Sequence, residues 1–252
     1  MKYKTGLVLS GGGTRGFAQL GALKALEEAG IRADVISGTS VGSIVGAMYA
    51  DGFTPERMLT VFRKHGIWKL SRLSFSRKGF LNFEGLKRSI VKYLGAETFE
   101  ELRIPLFVCI SNLSTGEAEY VHTGPLRDVI TASASIPILY APVTIRNNLY
   151  VDGAVFDNFP VKPIADQCER IIGINVMPAS PPANLNGFRQ TSMRILQLLV
   201  NAADRKSWEK CDVLIEPEGI TEYGYLGQRR GLKMYQLGYE TARKKLHAIQ
   251  EG

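Results

Sequence analysis

Residues 33–50 read ADVISGTSVGSIVGAMYA. Ala33 to Ser37 is a short apolar run of strand character, and Val41 to Ala50 has the length and composition of a buried helix that stops near Gly52. Between them, Gly38-Thr39-Ser40-Val41-Gly42 spells G-x-S-x-G. A strand that feeds straight into a helix is the repeating step of an α/β domain. The turn itself has two readings. It is either an ordinary tight connection or a serine held out at a strand tip.

The same step occurs upstream. Thr5 to Leu9 reads as a buried strand, Ser10 to Gly16 as a glycine loop, and Phe17 to Ala29 as a helix with Leu20, Leu23 and Leu26 on one face and Gly30 as its stop. Downstream, Pro55 after Thr54 opens another helix, regularity weakens from Gly66 to Asn82, and Phe83 to Leu94 is helical again. Leu106 to Asn112 and Ala118 to His122 form strands joined by Ser114-Thr115-Gly116-Glu117, followed by a helix from Leu126 to Ala134. Val143 to Ile145 and Leu149 to Val151 pair through Asn147-Asn148. Pro160 to Cys168 reads as helix and Arg170 to Val176 as a strong strand. A Pro-rich loop from Met177 to Gly187 leads into a helix reaching about Trp208. The strand DVLIEP, a loop rich in Gly and Tyr, and a last helix from Leu232 to Ile249 complete the chain. This alternation predicts one three-layer α/β/α domain over residues 1–252 with a mostly parallel central sheet.

The composition bounds the function. With 252 residues, 45% apolar and 22% charged, the chain can bury a sizeable core. The apolar run behind Met1 is only GLVL, too short for a signal-peptide core, and no apolar stretch approaches membrane-spanning length. A soluble protein of the cytosol is expected. Cys109, Cys168 and Cys211 are far apart and form no metal-spaced cluster, so each is expected to act as a small buried hydrophobe. The net charge of +7 has one source: Arg57, Arg63, Lys64, Lys69, Arg72, Arg77 and Lys78 lie between Arg57 and Phe83 with no acidic residue among them. Phe62, Trp68, Phe75, Phe80 and Phe83 share that segment. It reads either as a solvated face over core aromatics or as a surface for anionic lipid.

The glycine loop, LVLSGGGTRG, contains Gly11-x-Gly13-x-x-Gly16 after a strand and before a helix. A dinucleotide fold also needs an acid at the end of the second strand, whereas Asp34 opens that strand. The other use of the loop is as a nest. Successive glycines let N–H groups converge on an oxyanion, the next helix adds its positive end, and Arg15 adds a cation.

A serine hydroxyl needs a base. His65, His122 and His247 occupy no catalytic motif, and only His247 is late enough for the α/β-hydrolase order. A carboxylate is the better candidate. Asp152, in LYVDGAVFDNFP, ends a strand before Gly153 and Ala154, and Asp157 is its near rival. Burial would raise an aspartate's pKa from ~3.9 and strengthen it as a base.

Taken together, GGGTRG, GTSVG and DGA, in that order, resemble the patatin-like phospholipase family, nearest in character to its compact bacterial members of the neuropathy-target-esterase type. The resemblance runs from about Lys4 to Val176 and includes ASASIP at Ala132 to Pro137. It implies a serine acyl hydrolase with a Ser–Asp dyad and neither a catalytic histidine nor a metal or cofactor. By position, Ser40 is then the nucleophile and Asp152 the base. The amides of Gly11, Gly12 and Gly13 form the oxyanion hole, with Thr14, Arg15 and Gly16 completing the loop. Gly38 and Gly42 flank the serine, and Gly153 and Ala154 follow the aspartate, with Ala154 standing where the family sometimes has glycine.

The resemblance implies a lipid ester substrate, such as phospholipid, lysophospholipid or a simpler acyl ester, with peripheral contact to an anionic membrane surface and no nucleic acid. Val41, Ile44, Val45 and Met48 either line an acyl pocket or pack the core. The competing classes are a nucleotide-binding oxidoreductase and a non-catalytic lipid-binding domain.

Overall fold

A computed structural model of the chain describes residues 1–65, 93–178, 187, 191–192, 194–195, 197–200, 207–225 and 229–250. The expected irregular stretch at 66–82 and the helix at 83–94 lie mostly outside these residues, as does much of the basic, aromatic segment.

The fold is α/β, built on one mixed, mostly parallel sheet flanked by helices. Its strands are β1 (Tyr3–Leu9), β2 (Val35–Thr39), β3 (Leu106–Asn112), β4 (Glu117–Val121), β5 (Val143–Ile145), β6 (Asn148–Asp152), β7 (Cys168–Ile174) and β8 (Val213–Ile215). Five strands, in the order β3-β2-β1-β7-β8, run parallel. The remaining three are antiparallel additions, with β4 and β6 on β3 and β5 on β6. The helices are α1 (Gly16–Glu28), α2 (Val41–Ala50), α3 (Pro55–His65), α4 (Leu126–Ser133) and α5 (Gly231–Gln250).

Alternate residues of the central strands feed two cores, as the two-residue period of a strand requires. Leu7, Leu9 and Ile36 join α1, α2 and α3 in the larger core, where Phe17 and Phe62 meet edge to face at 5.6 Å. Val8 and Val35 join Phe159, Val161 and Ile164 in the smaller one. Each such apolar side chain contributes about 1.5–3 kcal/mol by leaving water. Phe62 is therefore a core residue, whereas the cations Arg57, Arg63 and Lys64 on the same helix are exposed. Helices α1 and α5 cross backbone to backbone. A Cβ on Gly21 would collide with the Tyr235 carbonyl, and one on Gly238 with the Ala18 carbonyl.

Three local expectations are corrected. First, β2 does not end at Ser37. Parallel pairing of Gly38 with Val108 and of Thr39 with Cys109 carries it two residues further, to the edge of the serine. Second, the β5–β6 turn is Arg146-Asn147, both at positive φ (45° and 68°), because Asn148 pairs with Ile145 and belongs to the strand. Third, residues 160–167 are turns, not helix. The Val161, Ile164 and Gln167 N–H groups bond back to Phe159, Val161 and Ile164 carbonyls, two or three residues earlier. Pro163 has no N–H to give and disfavours helical geometry at Lys162.

Candidate active site

Ser40 lies between β2 and α2 with φ 54° and ψ −122°. Holding a non-glycine residue there costs on the order of 1–3 kcal/mol, so the surroundings must hold it in place. The Ser40 N–H donates to Ser133 Oγ at 2.9 Å, and Ser133 Oγ donates to the Cys109 carbonyl at 2.6 Å. The Ser40 carbonyl accepts from the Ser43 N–H and hydroxyl, at 3.0 and 2.7 Å. The flanking glycines are explained by crowding. A Cβ on Gly38 would stand 2.6 Å from the Gly42 carbonyl, and one on Gly42 would strike the Leu9 carbonyl.

Asp152 is the last residue of β6. Its N–H donates to the Ser135 carbonyl at 2.9 Å. Its Oδ1 accepts from the Ala154 N–H at 2.9 Å, and its Oδ2 accepts from Ser40 Oγ at 2.6 Å. Both residues are only 3% exposed. Burial pushes the Asp152 carboxyl up to about 7, against the pull of the hydrogen bonds from Ser40 and Ala154. Gly153 follows because the Cys109 carbonyl leaves no room for a Cβ there.

The glycine loop faces the same point, with its amides divided between tasks. The Gly11 N–H donates to the Asn158 carbonyl at 3.1 Å and the Thr14 N–H to the Tyr225 carbonyl at 2.9 Å. Gly11 therefore spends its amide inside the protein. Among the described residues the N–H groups of Gly12 and Gly13 have no protein acceptor, and both glycines line the cleft above Ser40. They sit at φ 150° and 60°, and a Cβ on Gly13 would strike the Tyr225 carbonyl. Gly16 opens α1 against Val41, the residue after the serine.

Arg15 does not stand free beside the loop. It is buried, with its guanidinium donating to the carbonyls of Tyr223 (2.8 Å), Val176 (3.3 Å) and Thr221 (3.3 Å), and it lies over the Tyr225 ring at 4.2 Å. Burial lowers its pKa. Its visible task is to tie the segment at 221–225 to the glycine loop. Thr14 adds a bond from its hydroxyl to the Gly224 carbonyl at 2.9 Å.

The other candidates fall elsewhere. Asp157 accepts from the Tyr120 hydroxyl at 2.6 Å, and its carbonyl accepts from the Thr39 hydroxyl at 2.9 Å, so it braces the turn. The His122 ring lies against Phe107 at 4.7 Å, and His247 lies beside Glu240, Arg243 and Lys244 on α5. The side chain of His65 lies outside the described residues. Asp34 bonds Thr5 at the start of β1, the end of the sheet remote from the glycine loop. Val41, Ile44, Val45 and Met48 pack the core and are absent from the cleft wall.

The cleft opens to solvent, and the empty space in it and at its mouth together is about 500 Å³. Ser40, Asp152, Gly12 and Gly13 line it together with Asn158 beside the glycine loop. Ile136, Pro137, Ala154 and Val155 add apolar lining, and Met177, Gln197, Val200 and Tyr225 complete it. The family resemblance includes ASASIP but gives Ser133 and Ser135 no task. Nothing local points to Gln197, Val200 or Tyr225, which long-range packing brings to the site. Chemically, a buried carboxylate in contact with a hydroxyl, beside two unspent N–H groups, can take the hydroxyl's proton and hold an oxyanion.

The profile described as patatin-like phospholipase matches residues 7–165, more than half of the chain. The lysophospholipase nte1 of Aspergillus niger is 36% identical over 162 residues, covering 62% of this chain and 11% of that protein. Lysophospholipase NTE1 of Eremothecium gossypii is 31% identical over 280 residues, covering 98% of this chain and 18% of that protein. The chain thus spans less than a fifth of the length of these two curated relatives. Among solved structures, VipD from Legionella pneumophila has the same fold, with a TM-score of 0.55 at 17% identity over 98% of this chain and 67% of that one.

Proposed function

The chain belongs to the patatin-like phospholipase family, and from that premise we propose that it is a serine hydrolase of lipid carboxylic esters, with lysophospholipid as its substrate class. The printed activity of the curated relatives supports the substrate class. The observation that carries the chemistry is the 2.6 Å bond from Ser40 Oγ to Asp152 Oδ2.

In the proposed mechanism the Ser40 oxygen attacks the ester carbonyl carbon while its proton passes to Asp152. Negative charge develops on the carbonyl oxygen, within reach of the Gly12 and Gly13 amides and near the positive end of α2. Donors fixed in this way are worth about 10²–10³ in rate each. The intermediate collapses as the C–O bond to the leaving alcohol breaks, and Asp152 returns the proton to that oxygen. Water then attacks the acyl-serine with Asp152 again as base, releasing the fatty acid and restoring Ser40.

A fluorophosphonate probe, together with lysophosphatidylcholine turnover, tests the proposal. Wild type should label and release fatty acid, and Ser40→Ala should do neither while keeping its fold. Labelling that persists in Ser40→Ala would place the nucleophile elsewhere.

A further inference from the structure

One helical part of the cleft lining turns apolar residues outward. Residues 194–195 and 197–200 are helical. At about 100° per residue, Gln197 and Val200 share one face, and Ile195, Leu198 and Leu199 share the opposite one. Gln197 and Val200 are buried and line the cleft. Ile195, Leu198 and Leu199 are 53%, 50% and 62% exposed. A surface helix normally turns its apolar stripe inward, so an apolar stripe facing water signals a surface that something covers.

Two more exposed apolar residues adjoin the cleft lining in sequence. Ile138 and Phe156 are also exposed, and each directly follows a cleft-lining residue, Pro137 and Val155 respectively. Ile138 sits at φ 72°, a strained backbone for a β-branched residue. The residue is 45% exposed. Arg194 flanks the apolar stripe, half-buried, with its guanidinium on Gln197 Oε1 at 3.0 Å. A cation at the edge of an apolar face suits the phosphate level of a lipid surface.

We propose that this rim, formed by Ile195, Leu198, Leu199, Ile138 and Phe156, docks the mouth of the cleft onto the surface of aggregated phospholipid. Docking there lets a substrate acyl chain pass from the lipid phase into the cleft without crossing water. The inference rests on the lipid-ester reading of the cleft and adds the physical state of the substrate.

The test uses the full chain with Ile195→Gln, Leu198→Gln and Leu199→Gln combined. All three residues are exposed and none lines the cleft. Three readings are taken: co-flotation with vesicles of phosphatidylcholine containing a minor share of phosphatidylglycerol, hydrolysis of lysophosphatidylcholine dispersed in those vesicles, and hydrolysis of a water-soluble butyryl ester. Wild type should float with vesicles. The variant should lose about tenfold or more in flotation and in vesicle-substrate turnover, as expected when several apolar side chains no longer leave water. Its turnover of the soluble ester should be unchanged. Equal flotation of wild type and variant, or no flotation of wild type, overturns the proposal. So does a dimer of wild type that dissociates in the variant, because the stripe is then covered by a second copy. Absence of soluble-ester turnover in wild type would count against the hydrolase reading, while flotation would still report on the rim.

Discussion

Thr39 and Asp152 occupy neighbouring rungs on the same edge of β3, Thr39 opposite Cys109 and Asp152 opposite Ile110. β4 takes the other edge, pairing with Val108 to Asn112. β2 runs parallel to β3 and β6 antiparallel, so the two strands approach each other head-on and stop one rung apart. The residue after Thr39 is Ser40, and its hydroxyl meets the Asp152 carboxylate at 2.6 Å. One strand thus sets the separation of two groups that are distant in sequence, and rigid backbone does the positioning.

The head-on arrangement has a thermodynamic cost at Asp152. A carboxyl at about 7 in the folded chain and about 3.9 unfolded binds more protons when folded throughout that interval. Stability therefore falls as pH rises through the interval, and the full cost, up to about 4 kcal/mol, is present above the folded pKa. Asp152→Asn should remove the cost. It is expected to unfold at higher denaturant than wild type near ~pH 8 and to show no such advantage below ~pH 4. The same variant should lose at least about 10³-fold in ester turnover, because an amide cannot accept the serine proton. A variant that gains no alkaline stability would show that the carboxyl is not held neutral by burial.

The pH profile follows from the same group. In the proposed mechanism Asp152 acts as base only when ionised, so kcat/KM should rise with pH through a single ionisation near the value of about 7 set by burial. His122→Ala and His247→Ala should leave that limb and most of the turnover in place, since one ring lies on Phe107 and the other residue on the surface of α5. A limb that moves in either histidine variant assigns the ionisation to that ring.

Ser133 is a positioning residue for the serine turn. Its single oxygen accepts from the Ser40 N–H and donates to the Cys109 carbonyl, tying α4 to the junction of β2 and β3. Ser133→Ala removes the acceptor of the buried Ser40 N–H, at about 1–3 kcal/mol. Expected outcomes are a lower melting temperature and a kcat reduced about tenfold or more with KM nearly unchanged, since a strained turn that relaxes misplaces the proposed nucleophile without altering the cleft wall. Ser133→Thr, which keeps the hydroxyl, should recover kcat. A variant with lowered stability and normal kcat would confine Ser133 to a structural task.

Local pattern carried most of the β-α steps and the three motifs, because strand, turn and helix signals are written within a few residues of each other, whereas the choice of Asp152 over Asp157 as the partner of Ser40 came from the family resemblance. What local pattern missed depends on partners far along the chain. Gly11 looks equivalent to Gly12 and Gly13 in the run of glycines, and only the Asn158 carbonyl sets it apart. The extension of β2 to Thr39 exists because Cys109 lies beside it. The turns at 160–167 override a helical pattern because Phe159, Val161 and Ile164 bury themselves under the sheet. Arg15 reads as a cation added to the oxyanion nest, and only the carbonyls of Thr221 and Tyr223, far along the chain, show that its guanidinium is spent holding another segment.

That hold gives the last prediction. Arg15 spans three carbonyls, of Val176, Thr221 and Tyr223, and stacks on Tyr225. The planar guanidinium can serve divergent acceptors while lying flat on a ring, whereas an ammonium is a compact, strongly hydrated point charge on a flexible stem. Arg15→Lys keeps the charge but cannot reach all three carbonyls, so at least one buried or part-buried acceptor loses its donor, at up to about 1–3 kcal/mol where it is fully buried. The Tyr225 carbonyl also receives the Thr14 N–H and stands against Gly13. Loosening the 221–225 segment therefore disturbs the very loop whose amides are proposed to hold the oxyanion. Arg15→Lys should lower both melting temperature and kcat, and hydrogen exchange should rise together in residues 221–225 and at Thr14. If kcat falls while exchange at 221–225 stays at the wild-type level, the arginine acts on the reacting ester through its charge rather than through the loop it holds.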